Sequence, residues 1–144
     1  MKRDEAIAPL SREHHSTLIL AQLLKQHAPA YNGLPKTVAD KISYAQEQFN
    51  TTIQHHFQRE ESMLEITKGI HPEIDVLAGE IKSEHRQLTA LFNSLDTAAE
   101  REQTMDTLAN LLQEHIRKEE RVLFPLLQQH CPEALLQEVS ELLH

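Results

Sequence analysis

Apolar residues along this chain recur three and four positions apart, and no stretch alternates apolar with polar as a half-buried strand would. The first helix is expected from Ser11 to about His27, with Ser11 as N-cap and Leu10, Leu18, Ala21 and Leu24 as its apolar stripe. The breaker-rich segment Ala28–Pro35 ends it. A second helix is expected over Thr37–Thr67, apolar at Phe49, Ile53, Met63 and Leu64, stopping at Lys68–Gly69. A third follows His71–Pro72 and runs to about Ser94, with Ile81, Leu88 and Phe92 on one side. After a polar turn around Asp96–Ala99, a fourth runs from Arg101 to Gln129 through Leu108, Leu112, Val122 and Leu123. Pro125 should kink or loosen its last turns. Pro132 should occupy the first position of a short fifth helix.

Short connections between long helices favour antiparallel neighbours. The expected fold is therefore all-α: an up-down antiparallel four-helix bundle with a short fifth C-terminal helix, one domain over residues 1–144. Composition agrees, since 40% of residues are apolar while aromatics are only 4% and the chain has 3 Gly. The net charge of −8 argues against nucleic acid or an anionic membrane as main partner. Residues Met1–Leu10 carry four charges and no apolar core, so no signal peptide is expected, and no run is long enough to span a bilayer. Cys131 is the single cysteine, which excludes an internal disulfide and fits a cytoplasmic setting.

Histidine changes the picture, with 10 in 144 residues. Residues four apart share a helix face. His56 and Glu60 fall within the apolar stripe of the second helix, and His115 and Glu119 within that of the fourth; each pair lies 59 residues from its counterpart. His85 sits among Ile81, Leu88 and Phe92. On the first helix His14 lies near the centre of the stripe, while His15 is turned about 100° toward its edge and stays an alternative. Burying a carboxylate beside an imidazole in a Leu core costs several kcal/mol unless compensated. Two such burials at equivalent positions call for a common partner, and a metal pair is the simplest. Two histidines per ion with Glu60 and Glu119 bridging would leave coordination positions open. Iron, zinc and manganese all suit these donors. Glu61 and Glu120, about 100° off the stripe, are expected in solvent, with support of the metal ligands from behind as the alternative, and His27, His55, His71, His130 and His144 are expected on the surface at helix ends or on polar faces. Met63 and Phe92 are expected as packing that keeps the site dry, and Cys131 as a cap or small hydrophobe.

These residues resemble the hemerythrin-like (HHE cation-binding) family. The run 56–63, HFQREESM, is similar to the family's H-F-x-x-E-E-x-x-M motif, and 115–125, HIRKEERVLFP, to its H-x-x-x-E-E-x-x-L-F-P motif. Glu13-His14-His15 and Glu84-His85-Arg86-Gln87-Leu88 resemble its remaining E-H segments. The resemblance implies two iron ions, oxo- or hydroxo-bridged and shared by two carboxylates. It also implies binding of O2 or a related small molecule such as NO or peroxide, for sensing, storage or protection. The chain departs from the oxygen carriers: Ile81 stands where they place a second histidine before His85, and Glu119 follows His115 at four residues where they use Asp at five. The set of four His and two Glu is closer to the di-iron domain of bacterial iron–sulfur-cluster repair proteins. Their cysteine-bearing N-terminal segment has no counterpart here, so a repair role does not transfer. Two other functions compete: a di-iron oxidoreductase acting on peroxide or NO, and a module in which metal only holds the bundle together. A ferritin-like site needs Glu-x-x-His, the reverse of the order found here.

Overall fold

The computed structural model describes residues 2–144; Met1, the start of the charged N-terminal segment, lies outside them. Five helices form, and the described residues contain no strand. Helix α1 is Ala8–Leu24. Helix α2 covers residues 38–66 as Val38–Gln48, a π turn Phe49–Ile53 and Gln54–Ile66. Helix α3 is Pro72–Ser94. Helix α4 covers residues 101–130 as Arg101–Lys118, a π turn Glu119–Leu123 and Phe124–His130. Helix α5 is Glu133–Leu143. None is long and apolar enough to cross a membrane, among the described residues.

Local chemistry sets most boundaries. The Thr37 hydroxyl accepts the Asp40 amide at 3.1 Å and caps α2. Gly69 takes φ +86 just past its end, a conformation an L side chain resists. Ser11 does not cap α1. That helix starts three residues earlier, behind Ile7 and with Pro9 in its first turn, and leaves the Ser11 hydroxyl to donate to Glu120 at 2.8 Å. Pro132 caps α5 from just outside it, one position earlier than expected.

Pro125 neither ends nor breaks α4. Its ring would collide with the carbonyl four residues back in a regular α-helix. Here the turn ahead of it is widened, with the Phe124 amide donating to the Glu119 carbonyl. The extra residue shifts the register. Val122, expected on the apolar stripe beside Leu123, is 43% exposed; Leu123 is buried as expected, and Phe124 takes the other buried position.

The apolar residues gather in two clusters at opposite ends of the bundle. One holds Leu24, Phe49, Ile53, Leu88, Phe92 and Leu112. The other holds Leu10, Met63, Leu64, Ile81, Leu123 and Phe124, together with Val139 and Leu143 of α5. Helix α1 runs from the second cluster to the first, α2 back, α3 forward and α4 back, which is the up-down arrangement. Between the clusters lies one polar layer made of His14, His56, Glu60, His85, His115 and Glu119. Met63 and Phe92, both with no exposure, belong to the second and first clusters respectively.

Candidate metal centre

Each helix delivers its polar residue to this layer because that residue interrupts an otherwise apolar stripe. Glu60 and Glu119 have no solvent exposure, and the four histidines are at most 5% exposed. His14 Nε2 lies 3.2 Å from Glu119 Oε1 and 3.8 Å from Glu60 Oε2. His56 Nε2 is 3.4 Å from Glu60 Oε2 and 3.2 Å from His14 Nε2. On the other side His85 Nε2 is 3.0 Å from Glu60 Oε1, and His115 Nε2 is 3.2 Å from Glu119 Oε1. Two groups of donor atoms result, His14–His56–Glu60–Glu119 and Glu60–His85–His115–Glu119, each within 4.8 Å and sharing both carboxylates.

His15 is exposed and belongs to neither group, so of the two candidates on α1 the layer takes His14. His27, His55 and His144 are exposed, as expected. His71 and His130 are instead half-buried and stack on each other at 4.1 Å, away from the layer.

Of the two readings of Glu61 and Glu120, their contacts favour support of the histidines over plain exposure to solvent. His14 Nδ1–H donates to Glu120, and His85 Nδ1–H donates to Glu61, each at 2.7 Å. Two further carboxylates act alike: His56 Nδ1–H donates to Glu13 and His115 Nδ1–H to Glu84, again at 2.7 Å. A closed ring results, in which α1 braces α2, α2 braces α3, α3 braces α4 and α4 braces α1. Each bond fixes the imidazole with its Nε2 turned to the interior. The signal was present in sequence: each brace is the immediate neighbour of an inward residue, in Glu13-His14, Glu60-Glu61, Glu84-His85 and Glu119-Glu120. At these four positions the rotation of about 100° from an inward residue points at the adjacent helix, whereas at His15 it points at water.

Aromatic rings hold the imidazoles from the apolar side. Phe57 stacks on His85 at 4.0 Å and 13°, and Phe124 lies parallel to His14 at 5.7 Å.

The electrostatics are those of a site built for cations. Burial opposes a charge on His14, yet Glu119, Glu120 and Glu60 push its pKa up to about 12. Burial likewise opposes His56 and His115, but Glu60 raises the first to about 9 and Glu119 the second to about 10. Burial pushes the Glu60 carboxyl upward, and the surrounding imidazoles reverse this and hold it well below its usual range. Protons thus supply the positive charge that the buried carboxylates require. They do so incompletely: Glu60 Oε2, both Glu119 oxygens and His115 Nε2 are buried with no hydrogen-bond partner. Such orphaned atoms are costly unless a ligand satisfies them. Two divalent ions would bind them all, so the residues present fit a metal pair.

Comparison with known proteins agrees with this geometry. No curated protein and no solved structure matches the chain. One family model does match, described as the hemerythrin HHE cation binding domain, and it covers residues 5–127, which include all six residues of the polar layer. The chain therefore belongs to the hemerythrin HHE cation-binding family.

Proposed function

We propose that this chain holds two iron ions, one between His14 and His56 and one between His85 and His115, with Glu60 and Glu119 bridging them, and that the pair binds O2 or a related small molecule. The observation that carries the reading is the sharing of both buried carboxylates by the two donor groups. Six side chains for two ions leave positions open on each, which an exogenous diatomic or peroxide would take. Iron held there would supply ligand binding and electrons, whereas zinc fits the same donors but has no redox chemistry. The residues do the rest. The four outer carboxylates orient the imidazoles, Phe57 and Phe124 confine them, and the two apolar clusters exclude bulk water. A cleft of about 490 Å³ between α3 and α4 is lined by His115 and Glu84 and brings small solutes to the edge of the layer.

A buried centre with open positions for a small molecule suits sensing, storage or protection. The test is spectroscopic. The reduced, iron-loaded chain is exposed to O2 and separately to NO, then flushed with inert gas. Ligand-dependent absorption changes support the proposal, and a spectrum indifferent to both gases defeats it.

A further inference from the structure

The six inner residues treat the two cation positions alike, with two imidazoles each and both carboxylates in common. The outer ring does not. Glu13, which braces His56, is held by Arg59 at 2.5 Å. Glu120, which braces His14, accepts from Arg3 at 3.1 Å and from Ser11 at 2.8 Å. Both braces of the His14–His56 position are therefore neutralised by a guanidinium. At the other position Glu84, which braces His115, is held by Lys118 at 2.5 Å. Glu61, which braces His85 at 2.7 Å, meets no Lys or Arg among the described residues.

A brace raises the basicity of the imidazole it accepts from, and thereby its hold on a metal. A cation on the far side of the brace withdraws part of that effect and adds its own repulsion toward a metal ion. Glu61 is 41% exposed, so water weakens its field at a distance. The bond to His85 is a direct contact with no solvent between, and there the carboxylate acts at full strength. Two effects thus have the same sign: the His85–His115 position has one uncompensated brace, and it has one neighbouring cation where the other position has two.

We propose that Glu61 is a positioning residue that makes the two metal positions unequal, so that the first ion enters between His85 and His115 and the second between His14 and His56. This rests on the two-ion reading above.

The test uses the full metal-free chain titrated with Co(II), followed by calorimetry and by d–d absorption. Two steps are expected, and Glu61→Gln weakens the first by about tenfold or more while leaving the second. Arg59→Gln removes the cation behind Glu13 and tightens the second step, a gain that damage to the fold does not produce. With one Co(II) bound, proton NMR shows shifted Nδ1–H signals from two histidines, and Glu61→Gln moves one of them whereas Glu13→Gln moves neither. Two ions bound with one indistinguishable constant, or an Arg59→Gln chain no tighter at its weaker position, overturns the inequality. A wild-type chain that takes fewer than two ions removes the dinuclear reading instead.

Discussion

Stripping metal from this protein should invert its response to alkali. In the metal-free chain the buried carboxylates are neutralised by imidazolium, with His56 held at about 9 and His115 at about 10 against an ordinary value of 6.5. A raised pKa stabilises the fold fully below 6.5, and that stabilisation is lost as pH climbs through the folded-state value. Over this window each such histidine removes about 1.4 kcal/mol per pH unit, because the native state keeps a proton that the unfolded chain gives up. His56 and His115 alone, acting from pH 7 to pH 9, remove on the order of 5 kcal/mol, comparable to the whole stability of many domains, and His14, held at about 12, adds to the loss. At about 2–4 °C per kcal/mol, the melting temperature should fall by roughly 10–20 °C. In the loaded protein the imidazoles are neutral ligands and the dications replace the protons, so the same pH change should leave stability level or increase it. Thermal melts followed by circular dichroism, with and without chelator at pH 7 and pH 9, decide the matter. A chelated protein that melts at the same temperature at both values would refute the protonation scheme.

Three further outcomes are expected. Glu60→Ala or Glu119→Ala should drop metal content below two ions per chain by elemental analysis; unchanged content in both would remove the bridging role. His14→Ala should weaken binding at one position in a metal titration while His15→Ala leaves it untouched, since only His14 is buried in the layer; the opposite pattern would require a rotated α1. Phe57→Ala should cost about 3–5 kcal/mol in denaturant unfolding, as expected for a large buried aromatic, and should disturb His85, on which the ring stacks at 4.0 Å. A loss below 1 kcal/mol would mean the ring bears little of the packing.

Much of the fold was legible because one signal dominated it. Apolar spacing placed four long helices, and the short loops between them left an up-down bundle as the simple solution. The inner residues stood out for the complementary reason: His56, Glu60, His115 and Glu119 are polar groups that interrupt otherwise apolar stripes. What escaped the sequence was register and direction at finer scale. The π turn at Glu119–Leu123 exchanges Val122 for Phe124 beside the expected Leu123, and Pro125 hints at a disturbance without fixing its form. The π turn at Phe49–Ile53 contains no proline at all; the Thr51 hydroxyl donating to the Glu47 carbonyl is the nearest local competitor of the regular ladder. Glu61 and Glu120 stood only as alternatives and Glu13 and Glu84 were missed, because a Glu next to an inward residue reads as solvated on an isolated helix, and only the packing of the adjacent helix turns it into a brace.

The pairing of cations with Glu60 and Glu119 is tested most directly by counting metal in the protein as a cell makes it. Chain purified from an iron-replete host should carry two irons per polypeptide and show charge-transfer absorption in the near-UV and visible in air. One iron or fewer per chain, or a colourless protein with tightly bound zinc, would contradict the account.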